Sequence, residues 1–83
     1  MAQFHATITV SLKPAVLDAQ GKAVEGALHH LGFTHVSQVR VNKSITLSLE
    51  AASSEEATAE LRKMCEQLLA NTVIENYEIA VHA

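Results

Sequence analysis

With a single cysteine, Cys65, the chain cannot close an internal disulfide, so the fold must hold without covalent staples. Nor does it contain an apolar run long enough to cross a bilayer, and its first residues alternate in polarity instead of forming the apolar block of a signal peptide. These absences predict a cytoplasmic protein. Basic side chains are few, six against nine acidic, and the net charge of -3 has the wrong sign for neutralising phosphates, which excludes DNA and RNA as natural partners. Aromatic residues number only three, so the core must be built from Val, Ile, Leu and Ala. A chain of 83 residues makes one domain, spanning residues 1–83, and folding hides only a little over ~60% of the surface its unfolded form exposes. Self-association would supply extra burial, and a homodimer or a dimer of dimers is expected.

What is present is a clear alternation of structural periods. Phe4, Ala6, Ile8, Val10 and Leu12 alternate with His5, Thr7, Thr9 and Ser11, the pattern of a strand that buries one face. Pro14 ends it, and Asp18 is the expected cap of a helix whose Val24, Ala27, Leu28 and Leu31 form one stripe. Gly32 supplies a left-handed stop. A hairpin is expected next, with Val39 and Val41 facing inward from one arm and Ile45, Leu47 and Leu49 from the other. Its turn would be Asn42-Lys43-Ser44, with Asn42 at positive φ. Ser53 and Glu56 have capping-box spacing, and Ala57, Leu61, Met64, Cys65 and Leu68 make the stripe of a second helix that ends at Asn71. Tyr77, Ile79 and Val81 then share one face of a last strand.

The order strand, helix, strand, strand, helix, strand predicts an α+β fold, the ferredoxin-like βαββαβ arrangement, with both helices on one face of a four-stranded antiparallel sheet. Its uncovered face would carry His5, Thr7, Thr9 and Ser11, then Thr46, Ser48 and Glu50, then Glu78, Ala80 and His82. Small and β-branched side chains suit a half-dry surface that another subunit covers, whereas the alternative is an ordinary wet sheet face. The face has no aromatics on which bases could stack, which disfavours single-stranded RNA.

Candidate chemistry is mostly eliminated by spacing. His29 and His30 are adjacent on a helix and point about 100° apart, so they do not share one metal ion. Cys65 sits on an apolar stripe, as a small buried hydrophobe does. An acyl phosphate hydrolase would need an anion cradle after the first strand, where Ser11 to Asp18 offers Lys13 beside Pro14. Glu55 and Glu56 fit a helix N-terminus, and Glu75 and Glu78 are split across a strand, so neither is an acid and base facing one substrate. No catalytic, cofactor-binding or metal-binding residue is therefore assigned.

A polar set remains at the element ends. Asp18, Gly21, Gly32, Asn42 and Asn71 suit turns and caps. Gln20, Lys22, Arg40 and Lys43, with Thr7 and Thr9 on the open sheet face, are the candidates for a subunit interface.

Two of the stretches around these residues are long and ordered: Leu12-Lys13-Pro14 leading into Leu17-Asp18-Ala19-Gln20-Gly21-Lys22-Ala23-Val24, and Cys65-Glu66-Gln67-Leu68-Leu69-Ala70-Asn71-Thr72-Val73-Ile74-Glu75. In both, and along nearly its whole length, the chain resembles the PurS family, the small subunit of phosphoribosylformylglycinamidine (FGAM) synthase. Ala15 stands where that family often has Gly, Ala19 and Thr72 where it often has Pro, and Asn42 where Gly is frequent. The resemblance implies a subunit with no active site of its own. It would bridge a PurL-type synthetase subunit, which carries ATP and magnesium, and a PurQ-type glutaminase, assisting ammonia transfer between them in purine biosynthesis. From another class, an ACT-like regulatory module would bind a small effector at a dimer interface.

Overall fold

The computed structural model describes residues 1–83, and its first strand follows the alternation of the sequence. β1 (Ala2–Leu12) turns Phe4, Ala6, Ile8 and Val10 to a buried face and leaves Thr7 and Thr9 half-buried on the other. It is the central strand of the sheet, flanked by β2 (Lys43–Ala51) and β3 (Glu75–His82) in the order β2-β1-β3, both antiparallel to it. The register places Thr7 opposite Thr46 on one side and Ala80 on the other, so the small polar side chains do gather on one face.

The helices differ in how they meet this sheet. α2 (Ser54–Met64) starts where Ser53 Oγ accepts the Glu56 N–H at 3.2 Å, and it buries Ala57 and Leu61 against the sheet. A π-helical turn, Cys65–Leu69, follows, closed by Ala70 N donating to Cys65 O at 3.0 Å. The wider turn rotates its own last residues, so Leu69 packs on the core while Leu68, expected inside, is 82% exposed. Tyr77 Oη donates to Glu66 at 2.7 Å and ties the turn to β3. Ile8, Val10, Leu61 and Cys65 are the fully enclosed centre of the core.

α1 (Ala19–His30) forms as its residues dictate but buries only Gly21. Its C-terminus has the Schellman pattern, with Gly32 at φ 104°, Gly32 N donating to His29 O and Phe33 N to Leu28 O. Of the stripe expected to meet the sheet, only Leu28 is half-buried, while Val24 is 41% and Leu31 72% exposed and Ala27 is exposed as well. The molecule is consequently long and thin, 52 × 25 × 14 Å, with a radius of gyration of 16.4 Å. A compact chain of this length would have about 12 Å.

The four-stranded, ferredoxin-like sheet expected from the sequence is not formed, because the sheet has three strands. No hairpin arm exists at Val39 and Val41. Their backbone N–H groups, which would have joined a ladder, donate instead to the carboxylates of Glu25 and Asp18. The segment is thereby held against α1 and away from the sheet edge. Asn42 is not at positive φ; the residue that is, Gln38 at 56°, lies four positions earlier. Lys43 and Ser44, expected in a turn, already pair with Val10 and Thr9 in β2.

Candidate functional site

Pro14 stops β1, and Val16 N donates back to Lys13 O at 2.9 Å, so the chain turns sharply before α1. That turn delivers Asp18 to the N-cap position, where it is buried although charged. One carboxylate oxygen accepts Gly21 N at 2.8 Å as a helix cap, and the other accepts Val41 N at 2.8 Å from 23 residues away. Arg40 Nε lies 3.9 Å from the same oxygen, and Arg40 Nη2 reaches the carbonyls of Leu12 and Lys13 at 3.3 Å. Asp18 thus joins the start of α1 to the strand-free return segment, and Arg40 ties that segment to the end of β1. Hydrogen bonds from Gly21 and Val41, more than the Arg40 charge, hold the Asp18 carboxyl below the usual aspartate range against the opposing effect of burial.

Gly21 permits this closeness. A Cβ there would run into the Val39 carbonyl oxygen and lie 2.9 Å from Asp18 Oδ2, so the return segment could not sit against the helix. Between the turn and that segment runs an open groove of about 780 Å³. Apolar Leu12, Pro14, Val16, Leu17 and Val39 line it together with Asp18, Lys22, Glu25, Arg40 and Asn42.

The groove therefore unites Asp18, Lys22, Arg40 and Asn42 from the polar set, with Gly21 against its wall. Gln20 is exposed beside it. Lys43 is outside, its Nζ 3.5 Å from Glu75 Oε2. Asn71 shapes the turn into β3, its Oδ1 accepting Val73 N at 3.2 Å and its own N–H donating to Glu75 at 2.7 Å. Thr7 and Thr9 sit at the centre of the uncovered sheet face, where His5 Nδ1 and Ser48 Oγ are 2.8 Å apart. Glu25 is the residue the sequence reading passed over. Its spacing of seven from the capping Asp18, about two helical turns, is a signal present in the sequence.

As chemistry, this arrangement is a clamp with a recess. Asp18 is fully engaged, so it is poorly suited to move a proton. Cys65, the first residue of the π-helical turn, is buried in the core with its thiol pushed up by burial and by the Glu66 charge, so no thiolate is presented. The Glu66 carboxylate likewise pushes the Tyr77 hydroxyl up by accepting its proton in a hydrogen bond.

Comparison with known proteins gives this geometry its context. The family profile described as PurS, phosphoribosylformylglycinamidine (FGAM) synthase, matches residues 5–83. The PurS subunit of Synechocystis is 54% identical over 74 residues, 89% of this chain and 74% of that one. The PurS subunit of Bacillus subtilis is 44% identical over 78 residues, 94% of this chain and 92% of that one. Among solved structures, B. subtilis PurS superposes with a TM-score of 0.87 at 42% identity, covering 96% of this chain and 99% of that one. The PurLQS structure from Thermotoga maritima contains a chain that superposes at 0.90 with 35% identity, covering 99% of this chain and 100% of that one. The elongated α+β shape is thus shared by relatives, and the effector-binding regulatory reading gives way. This chain belongs to the PurS family and is the small subunit of an FGAM synthase, a ligase.

Proposed function

We propose that the chain works in the cytoplasm as the assembly subunit of FGAM synthase, joining a PurL-type synthetase subunit to a PurQ-type glutaminase and associating with itself. The carrying observation is its surface. The chain exposes 5771 Å² at a mass of 8.9 kDa, whereas a compact monomer of that mass exposes about 4800 Å². The excess is close to the roughly 800 Å² that one partner contributes to a standard protein interface. The uncovered apolar side chains include Val24, Leu31, Phe33 and Val41 on α1 and the segment after it, and Leu17, Leu68 and Val73 elsewhere. The T. maritima relative, whose structure is that of PurLQS, gives the partners their identity. ATP and magnesium then belong to the synthetase, which forms the amidine with ammonia released from glutamine, and the small subunit helps keep that ammonia from bulk water. No helix in the structure is long and apolar enough to cross a membrane.

Reconstitution tests this reading. Omitting the chain from a mixture of the synthetase and glutaminase subunits should depress glutamine-driven amidine formation far more than the reaction driven by ammonium salts. Full glutamine-dependent activity without the chain would refute the assembly role.

A further inference from the structure

We infer that the groove between the β1–α1 turn and the Gln38–Asn42 segment seats an acidic segment of a partner subunit, whose carboxylate pairs with Lys22. The inference rests on the assembly role proposed above and adds the chemistry of one contact.

Four charged side chains line the groove, and they are not equally free. Asp18 accepts from Gly21 N and Val41 N, both at 2.8 Å, and faces Arg40 at 3.9 Å. Glu25 accepts Val39 N at 3.2 Å. Both acids therefore serve the chain's own backbone. Lys22 takes part in neither of the ion pairs, Arg40–Asp18 and Lys43–Glu75, and it is exposed. Arg40 reaches its two carbonyl acceptors only at 3.3 Å. The net result is a recess whose negative groups are occupied internally while a lysine stays available to an incoming acceptor.

The donors already occupied select the acceptor. A phosphate site is normally built from several convergent backbone N–H groups. Here the N–H groups of Gly21, Val39 and Val41 are already taken by the two carboxylates. A dianion would also stand beside the ionised Asp18, held below the usual aspartate range. One lysine, with the edge of a partly engaged arginine, suits a monoanionic carboxylate. The apolar share of the lining points to a polypeptide source: Leu17 is 72% exposed, and Leu12, Pro14 and Val16 line the groove with it. About 780 Å³ is far more than a carboxylate needs. It lies within the roughly 300–1,000 Å³ of pockets that enclose several groups at once, enough for an Asp or Glu with an apolar neighbour.

The test is binding of the intact chain to the synthetase and glutaminase subunits, followed by titration at low and moderate salt. Lys22→Glu should weaken association at least tenfold, because close interfacial charge pairs couple strongly. Lys22→Arg should stay near wild type, Lys22→Gln should fall between with a shallower salt dependence, and Leu17→Gln, which adds no charge, should weaken binding with the wild-type salt dependence. Thermal unfolding of the Lys22 variants should match wild type, since the side chain holds nothing within this chain. Unchanged affinity of Lys22→Glu, while the wild type still binds, would overturn this inference alone. So would loss of self-association by Lys22→Glu with partner binding intact, which would make a second copy the occupant. Inorganic phosphate competing with the partner below millimolar concentration would overturn it by making the groove a small-anion site. Failure of the wild type to bind either subunit would overturn both this contact and the assembly role.

Discussion

Where α2 lies on β1, Ile8 and Leu61 are sealed from solvent, while on the far side of the Lys13–Val16 turn the twelve residues of α1 bury a single glycine. The sheet and α2 exclude water from apolar groups, a non-directional effect proportional to area. α1 and its return segment are tied by a few directed bonds, most of them to Asp18 and Glu25. A helix of this length is marginal in water without tertiary packing. The comparison teaches that one short chain can hold one region by burial and another by hydrogen bonds to charge. The second region leaves Val24 and Leu31 of its apolar stripe without a cover in its own chain.

Three measurements can break or sharpen that contrast. The largest effect is expected from Leu61→Ala in the buried region, which should cost about 2–5 kcal/mol in urea unfolding of the whole chain because Leu61 is fully enclosed. A loss of under about 1 kcal/mol would mean that α2 is no better packed than α1.

Acid should then act on the other region first. Asp18 has a folded-state pKa below its unfolded value, so its stabilisation is complete above the usual aspartate pKa near ~4 and is lost as pH falls through the folded value. Hydrogen exchange after acid pulses below that value should expose the amides of α1 and of Val41 before those of β1. Asp18→Ala should reproduce the effect at neutral pH, with exchange in the first turn of α1 about fivefold faster or more. Equal protection of both regions across this range would remove the distinction.

The smallest effects, of opposite sign, should come from two glycines of the same helix. Gly26 has nothing within 4 Å of a built Cβ, so Gly26→Ala should stabilise by about 0.4–1 kcal/mol through helix propensity and unfolded-state entropy. Gly21→Ala enjoys the same propensity gain but drives a methyl group into Val39 O and Asp18, so its net effect should be destabilising. Melting curves of the two variants check this, and a stabilising Gly21→Ala would show that the return segment does not lie against α1.

Much of the local structure was legible in order along the chain. The alternation from Phe4 to Leu12, the caps at Asp18 and Ser53 and the left-handed Gly32 each depend on neighbours a few residues away. The two ordered stretches around Asp18 and Asn71 carried the family resemblance, because they are words and not surfaces. The groove was only half legible. Its residues were singled out, but their convergence required a bond from Asp18 to Val41 across 23 positions.

By itself, then, the sequence determined the two helix starts and the alternating faces of the three strands that do form, and which family the chain belongs to. Tertiary structure decided what each apolar face meets. Period and propensity describe a segment alone, so they could not tell that Val39 and Val41 donate to carboxylates on α1 instead of to a fourth strand. They could not show that a π-helical turn sends Leu68 outward, or that Val24 and Leu31 of the α1 stripe are left without a cover in their own chain. The physical reason is that a backbone N–H or an apolar side chain specifies only that it needs a partner, and which partner it finds depends on groups distant in sequence.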